Sequence, residues 1–243
     1  MSSFLVLWDV DYTLVNTFGV GRNLYRAVFA DLYGRDLPEV ADGASMAGRT
    51  DRAISLEVLE LAGVPDPRGQ VSRFETALGR LAPGVTGVVA ATGKPLPGAA
   101  AALAALAGVP GVVQSLLTGN VRPLAEAKLA PLGLTTHLDL DVGAYGNEHE
   151  TRSELVHLAR DRAAAAYGRD FGGQAAVLVG DTPLDIEAAL VTGARAVGVA
   201  TGQFSLAELQ ATSAHAVLPD LTDTGAVLAA VLAGLGDYQP RPA

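Results

Sequence analysis

Short apolar runs alternate with helical patterns along most of the chain. Four runs bounded by turn residues predict buried parallel strands: FLVLW (4–8), VVQSLLT (112–118), AAVLVG (175–180) and ARAVGVA (194–200). Weaker patterns predict strands at HLDLDVG (137–143), which alternates, and at HAVLPDL (215–221), a final edge strand. Helical patterns lie between them, at 97–108, 122–133, 151–168 and 182–193. This alternation predicts an α/β fold with a doubly wound, mostly parallel, Rossmann-like sheet.

Two of the helical patterns carry signals at their ends. The pattern at 151–168 opens with Thr151 and Glu154, which have the spacing of a capping box. The pattern at 182–193 places Pro183 just inside its start and Gly193 just past its end, as helices prefer. These signals give the expected starts of both helices.

Residues 16 to 88 break the alternation of strands and helices. Amphipathic helical patterns occupy 19–34, 50–63 and 67–84, with no convincing strand among them. An all-helical segment after the first strand, followed by a return to alternation, indicates a second domain inserted into the first. We therefore expect an α/β core domain from 1–15 and 89–243, and an all-α helical cap domain from 16–88.

Composition is typical of an ordinary globular protein, with 49% hydrophobic and 18% charged residues. The net charge of −9 argues against a general affinity for nucleic acid or for an anionic membrane. The absence of cysteine excludes disulfides, thiolate nucleophiles and Cys-ligated zinc. No segment approaches the roughly 18 apolar residues of a membrane span, and the N-terminal run is too short for a signal peptide. A cytoplasmic location is therefore expected.

Oxygen-bearing residues follow three of the predicted strands. They are Asp9 and Asp11 after the strand at 4–8, Thr118, Gly119 and Asn120 at the end of 112–118, and Asp181 and Asp185 after 175–180. Ligands of open α/β sheets bind beyond the carboxyl ends of the strands, so we expect these residues to meet at one edge. Uncompensated acids would repel one another there, and Mg²⁺, a hard cation that takes oxygen ligands, would resolve the repulsion.

Each of these residues also has an ordinary structural interpretation. Asp9 and Asp11 could be loop carboxylates at a strand end, and 118–120 could be a turn that leads into a helix. Asp181 could cap the next helix, and Asp185 could face the helix dipole from the first turn. Their joint occurrence, in this order and at strand ends, favours the functional interpretation.

The motifs resemble those of the haloacid dehalogenase-like (HAD) hydrolase superfamily. DVDYT at 9–13 matches its DxDxT motif, LLTGN at 116–120 matches a strand ending in Thr or Ser, and GDTPLD at 180–185 matches GDxxxD. The helical insert looks like the C1-type cap of the phosphoglycolate phosphatase-like branch. The resemblance covers nearly the whole chain and implies a Mg²⁺-dependent phosphatase that acts on a small phosphate monoester.

The resemblance also implies roles for the four acids. Asp9 would be the nucleophile that forms an aspartyl-phosphate, and Asp11 would act as general acid and then as general base. Mg²⁺ would be held by the Asp9 carboxylate, the Asp11 backbone carbonyl and the Asp181 carboxylate. Asp185 would hold a water of the ion or orient its neighbours.

Contacts to the substrate are expected from both domains. Thr118 would donate its hydroxyl to a phosphoryl oxygen, and the backbone N–H groups of Gly119 and Asn120 would complete the cradle. In the cap, AGRTDR at 47–52 resembles the substrate-facing loop of related caps, which makes Arg49 and Thr50 the candidates for specificity. An ordinary solvated surface position is the alternative interpretation of Arg49.

The family usually supplies a Lys between its second and fourth motifs, and here the chain departs from the pattern. Lys128 lies inside the helix just after the Thr-Gly-Asn segment, which is too early for that role, and Lys94 is interpreted as a surface residue. Arg152, at the start of the helix at 151–168, is the expected substitute. Arg at this position would reach the phosphate and Asp9 as a planar fork.

Other functions stay open at this point. A phosphomutase of the same fold would pass the phosphoryl group to a sugar. A dehalogenase lacks the second Asp of DxDxT, a phosphonatase would carry a cap Lys that 16–88 does not contain, and a phospho-Asp signalling module lacks an inserted helical domain. We expect a small phosphorylated metabolite as partner, no nucleic acid or membrane, and a monomer or homodimer.

Overall fold

The computed structural model describes residues 4–233. Its strands are β1 (Phe4–Trp8), β2 (Val15–Asn16), β3 (Lys94–Pro95), β4 (Val112–Leu116), β5 (Ala176–Gly180), β6 (Arg195–Val199) and β7 (Ala216–Leu218). Five of them form a sheet in the order β4-β1-β5-β6-β7, and all of its paired strands are parallel. The mostly parallel α/β sheet predicted from the sequence is therefore confirmed.

Helices cover both faces of the sheet. The helices of the described chain are α1 (Val20–Tyr33), α2 (Glu39–Asp42), α3 (Asp51–Leu61), α4 (Pro67–Leu81), α5 (Thr86–Thr92), α6 (Ala99–Ala107), α7 (Arg122–Leu129), α8 (Arg152–Tyr167), α9 (Pro183–Val191), α10 (Leu206–Gln210) and α11 (Thr224–Leu232). On β1, Val6 and Trp8 pack in one hydrophobic core with α6 and α11, whereas Leu5 and Leu7 pack in another with α8 and α9. Both faces are buried because side chains of a strand alternate between them.

The inserted helices have a hydrophobic core of their own. α1, α3 and α4 pack around residues that include Phe29, Leu59 and Phe74, all with no exposed surface. This core continues into the α/β layer through Val121 and Leu124 at the start of α7. The cap therefore rests on the segment that follows β4.

A short antiparallel ladder joins the two chain segments that connect the cap to the core. Val15 on β2 pairs with Pro95 on β3, and Asn16 pairs with Lys94. Helix α5 and strand β3 occupy the stretch to which the sequence pattern assigned no element, and α5 crosses residue 88, the expected end of the cap. Residues 1–3 and 234–243, at the ends of the two expected core segments, lie outside the described residues.

Two local predictions are wrong. Residues 137–143 form turns instead of a strand, because they bond to β4 only at isolated points, such as the Asp139 N–H to the Gln114 carbonyl at 2.8 Å. The capping box at Thr151 does not form, because the Glu154 N–H bonds to the Thr151 carbonyl and not to its hydroxyl. None of the helices between residues 4 and 233 has the length and apolar character needed to cross a membrane.

Candidate active site

The register of the sheet brings distant chain segments together beyond the carboxyl ends of β1, β4 and β5. Trp8, the last residue of β1, lies opposite Leu116 on β4 and Val179 on β5. Asp9 follows Trp8 directly, and Asp181 lies two positions beyond Val179. Both acids are buried, with exposed fractions of 6% and 3%.

Asp9, Asp181 and Asp185 form a buried carboxylate cluster in which each residue offers an oxygen within 4.8 Å of the others. Burial first, and then the charges of Asp9 and Asp185, raise the pKa of Asp181 well above its usual range. Burial also raises the pKa of Asp9, although the nearby Arg152 guanidinium opposes that shift. The chain thus holds several acids together where their charged forms are unfavourable.

The donor set of this cluster fits a hard divalent cation. Among the described residues, the Asp181 carboxylate has one hydrogen-bond partner, the Thr13 hydroxyl at 3.5 Å. Asp185 Oδ1 is buried and accepts no hydrogen bond. Buried carboxylate oxygens with so few protein donors are suitable ligands for Mg²⁺, which would also neutralise their repulsion.

Arg152 is the cation of the carboxylate cluster. Its Nη2 lies 2.6 Å from Asp9 Oδ1 and 2.6 Å from Asp185 Oδ1, although only the first contact has hydrogen-bond geometry. Burial lowers the pKa of Arg152, but the charges of Asp185 and Asp9 more than compensate and raise it above its ordinary value. Nη1 also donates to the Gly48 carbonyl of the cap at 3.3 Å. The structure therefore places Arg152 against Asp9, as the motif-three substitute requires.

Asp185 has a structural partner as well as a place in the cluster. Its Oδ2 accepts hydrogen bonds from the Thr182 backbone N–H at 3.1 Å and from the Thr182 hydroxyl at 2.7 Å. The Thr182 Oγ1 in turn accepts from the Asp185 N–H, which completes a capping box at the start of α9. This box holds one oxygen of Asp185 and leaves Oδ1 facing Arg152.

The Asp11 carboxylate has different partners and lies outside the carboxylate cluster. Its Oδ2 accepts from Lys128 Nζ at 2.6 Å and from Asn120 Nδ2 at 2.8 Å. Lys128 Nζ also donates to Asn120 Oδ1 at 2.7 Å, and this Lys is 2% exposed. Lys128 thus lies inside the site even though its position in the sequence is too early for the usual family Lys, and it contacts Asp11 instead of Asp9.

The segment 118–120 lies against the cap, since the Asp51 N–H donates to the Gly119 carbonyl. Thr118 is fully buried, and its Oγ1 accepts from the Asn120 N–H at 3.2 Å and from Asn120 Nδ2 at 2.8 Å. A Cβ atom at Gly119 would lie 1.9 Å from the Arg49 carbonyl oxygen of the cap, and one at Gly146 would lie 2.7 Å from the Asp51 backbone nitrogen of the cap. Only glycine lets the cap approach the core backbone this closely.

The two cap candidates occupy different environments. Arg49 lies in the cavity wall, where its guanidinium is paired with the Glu57 carboxylate. Thr50 caps α3 by accepting from the Ala53 N–H at 3.2 Å, and its hydroxyl donates to the Glu150 carbonyl of the core at 3.0 Å. Thr50 thus joins the cap to the core, and Arg49 is the one that faces the cavity.

Asp51 is a further buried acid at the boundary between cap and core. Its Oδ2 accepts from the Val121 N–H at 2.7 Å, its Oδ1 accepts from the Tyr25 hydroxyl at 2.8 Å, and its own N–H donates to the Gly119 carbonyl at 2.6 Å. Burial raises the pKa of Asp51 to about 6, although these donors oppose the shift. A cap side chain therefore binds the free N–H at the start of a core helix.

A cavity of about 700 Å³ connects these groups between cap and core. Its wall includes Asp9, Asp11 and Arg152 from the core and Arg22 and Arg49 from the cap. Groups from the core and from the cap therefore line the same cavity and can contact one small molecule.

Lys128, Asp51 and Arg22 are site residues that the sequence analysis did not identify. A signal existed for Lys128, because it lies four positions after Leu124 and therefore on the buried face of its helix, where a charge is unusual. Lysine is also rare in this chain, where Lys94 and Lys128 are the only two. Asp51 lies within the segment 47–52 that resembles a substrate-facing loop, but nothing there distinguishes it from its neighbours, and no comparable signal marks Arg22.

The model of one protein family matches most of the chain. It describes haloacid dehalogenase-like hydrolases and matches residues 6–190, which include all three motifs. No curated protein matches the sequence.

Solved structures share the fold at low sequence identity. A predicted phosphatase from Clostridium acetobutylicum is 16% identical with a TM-score of 0.68, covering 94% of this chain and 99% of that one. A protein provisionally assigned as a phosphoglycolate phosphatase from Lactobacillus plantarum is 14% identical (TM-score 0.60, 93% and 100% covered). One provisionally assigned as a β-phosphoglucomutase from Bacteroides vulgatus is 15% identical (TM-score 0.63, 97% and 91% covered). These likenesses show a common fold.

Proposed function

Because the chain belongs to the haloacid dehalogenase-like hydrolase family, we propose that it is a Mg²⁺-dependent phosphatase that hydrolyses a small phosphate monoester through an aspartyl-phosphate. Membership of the family confirms the assignment made from the motifs. The observation that supports the proposed reaction is the meeting of Asp9 with Asp181, Asp185 and Arg152 in one buried cluster at the cavity. A nucleophilic carboxylate, a cation and a set of metal ligands are the groups that this chemistry needs.

Asp9 is the proposed nucleophile. Its Oδ1 is held by Arg152, so the other carboxylate oxygen attacks phosphorus as the bond to the leaving oxygen breaks. Bound Mg²⁺, held by Asp9, Asp181, Asp185 and the Asp11 carbonyl, would supply positive charge that offsets repulsion between the nucleophile and the phosphate. Arg152 provides permanent positive charge beside the same carboxylate.

Asp11 is the proposed general acid and base. It lies in the cavity wall with about a third of its side chain exposed, so it can reach the leaving oxygen. It protonates the leaving alcohol in the first step and takes a proton from the attacking water in the second. Two carboxylates are needed because one of them is bonded to phosphorus in the aspartyl-phosphate while the other transfers protons.

Phosphate is proposed to bind at 118–120. The Thr118 oxygen acts only as an acceptor in its contacts with Asn120, so its own proton is free to bond to a phosphoryl oxygen. Gly119 and Asn120 line the cavity, and the Gly119 backbone N–H is proposed to complete the cradle, whereas the Asn120 N–H donates to Thr118 Oγ1. On the cap side, Arg49 is proposed to contact the rest of the substrate, with Thr50 holding the loop in place.

The proposed substrate is a small phosphorylated metabolite, because the cavity of about 700 Å³ is bounded by the cap. The net charge of −9 also makes nucleic acid an unsuitable partner. A cytoplasmic location and a monomeric or homodimeric state remain part of the proposal. Product analysis with glucose 1-phosphate separates the phosphatase from a phosphomutase, which would yield an isomeric sugar phosphate and no inorganic phosphate.

Turnover of p-nitrophenyl phosphate tests the proposed function. We expect hydrolysis that requires Mg²⁺ and that falls at least about 10⁴-fold in Asp9→Asn, because that variant lacks the nucleophilic oxygen. Asp141→Asn, at an exposed carboxylate outside the site, is the matched control and should retain full activity. Activity that is unchanged in Asp9→Asn would refute the nucleophile and with it the proposed reaction.

A further inference from the structure

Within the described range 4–233, two buried cations lie at the site, and one of the two belongs to the carboxylate cluster. Arg152 contacts Asp9 and Asp185, whereas the Lys128 amine contacts Asp11 and Asn120. We infer that Lys128 is a positioning residue for the general acid: it holds one oxygen of Asp11 so that the other faces the leaving group. This inference rests on the proposed phosphatase function.

The contacts of Asp11 are divided between its two oxygens. Oδ2 accepts from both Lys128 at 2.6 Å and Asn120 at 2.8 Å. Within residues 4–233, Oδ1 has no hydrogen-bond partner, and the side chain lies in the cavity wall. Two donors on one oxygen fix the rotation of the carboxylate, and the unbonded oxygen is the one available for proton transfer.

Lys128 is itself fixed by its surroundings. It is 2% exposed, and its amine also donates to Asn120 Oδ1 at 2.7 Å. Asn120 is held in turn by donating to Thr118 Oγ1 at 2.8 Å. Gly21 of the cap closes the other side, since a Cβ atom there would lie 3.6 Å from Lys128 Nζ. Each member of the network is therefore oriented by at least one other member, which limits rotation of Asp11.

A purely structural role does not account for this placement. A buried Lys is costly unless its charge is paired, and α7 could place an apolar residue at position 128 on its buried face. Asp11 remains about one third exposed and could be solvated without Lys128. The amine therefore serves the orientation of Asp11 more than the stability of α7.

The step that depends on this orientation is the first one. The bond from Asp9 to phosphorus forms, the bond from phosphorus to the ester oxygen breaks, and the proton on Asp11 Oδ1 moves to the departing oxygen. The products are the alcohol, the aspartyl-phosphate and the Asp11 carboxylate. Proton donation matters most when the leaving group is a weak acid, because such an oxygen departs poorly as an anion.

The test compares two esters of similar shape, phenyl phosphate and p-nitrophenyl phosphate, which has the more acidic leaving group. In Lys128→Met we expect kcat/KM for phenyl phosphate to fall about 100-fold and kcat/KM for p-nitrophenyl phosphate to fall by less than about 5-fold, since general acids contribute roughly 10²–10⁴-fold. Asp11→Asn should show the same selectivity, and the double variant should add little to either single change. Arg122→Met removes an exposed cation from the same helix and should change neither value.

Equal losses for both esters in Lys128→Met would overturn the inference. That result would leave the proposed function standing as long as the unmodified protein shows hydrolysis that depends on Mg²⁺ and on Asp9. Failure of that hydrolysis would instead remove the proposed function itself.

A second measurement does not depend on the folding of Lys128→Met. The chain has two lysines, so selective ¹³C,¹⁵N-lysine labelling gives two side-chain NMR signals. We expect Asp11→Asn to shift the Lys128 signal and to leave the exposed Lys94 signal unchanged. A Lys128 signal that does not respond to Asp11→Asn contradicts the inference.

Discussion

The two acids of the first motif lie two residues apart, yet they belong to different electrostatic environments. Asp9 shares a buried cluster with two further carboxylates and a guanidinium, whereas Asp11 is partly exposed and held by an amine and an amide. The guanidinium is always protonated and can contact several carboxylates at once, while the amine is a compact donor that serves one. The comparison shows how one short segment can place two acids in environments that suit the different roles proposed for them, nucleophile for Asp9 and proton donor for Asp11.

Removal of Arg152 should have the largest effect, because it changes the environment of Asp9 and leaves that of Asp11 in place. Arg152→Met leaves the buried acids Asp9, Asp181 and Asp185 without their cation, so we expect a loss of at most about 3–5 kcal/mol in the free energy of unfolding at pH 7 without Mg²⁺. Protons held by Asp181 and Asp9, whose pKa values are raised, limit the loss. The loss should shrink as the pH falls, because protonated acids no longer need a cation, and also when Mg²⁺ is added. Urea unfolding of both proteins at pH 5 and pH 7, with and without the ion, measures it. An equal loss under all of these conditions would contradict the proposed electrostatic role.

The next largest effect on stability should come from Asp51, which lies near Lys128 and Asp11, and this effect should depend on pH. Its pKa rises from an ordinary 3.8 to about 6 on folding, so the native state binds more protons between these values and stability falls as the pH rises from about 4 to about 6. The shift corresponds to about 3 kcal/mol at most. Asp51→Asn should remove this part of the pH dependence, as measured by urea unfolding from pH 4 to pH 7. The control Asp141→Asn should retain it, and an identical slope in Asp51→Asn would show that this acid does not titrate in the window.

The smallest effect should be the pH dependence of Mg²⁺ affinity, which depends on the protonation of the carboxylate cluster around Asp9. Burial and neighbouring carboxylates raise the pKa values of Asp181 and Asp9, so the metal-free protein holds protons that the ion must displace. Affinity should therefore increase with pH, by about tenfold per pH unit for each proton released. Calorimetry in two buffers of different ionisation enthalpy measures the proton release. Binding with no net proton release near pH 7 would contradict these shifts.

Much of the fold follows from local patterns in the sequence. The five strands of the sheet are short apolar runs, and each predicted core helix is present, because both faces of a parallel sheet must be covered. The prediction of a strand at 137–143 was wrong, because an alternating pattern alone does not supply a neighbouring strand that hydrogen-bonds along the whole segment.

The candidate site was less accessible to sequence reasoning. The acids at strand ends could be placed because parallel strands end at one edge, and Arg152 because of its position at a helix start. The buried position of Lys128 left a signal in the sequence, but its pairing with Asp11 could not be predicted, because the contact depends on how α7 leaves β4. Asp51 depends in the same way on how the cap rests on the core.

The close approach at Gly119 and Gly146 constrains how caps can be exchanged between relatives. A foreign cap grafted onto this core would need a loop that accepts the same two backbone contacts, and any side chain at either glycine would push that loop outward. We expect chimeras that carry 118–121 and 143–151 together with the donor cap to retain turnover, and chimeras that transplant the helices alone to lose it. If substrate choice follows the cap as proposed, the segment that must be exchanged to transfer it is therefore larger than the helical insert and includes these core loops.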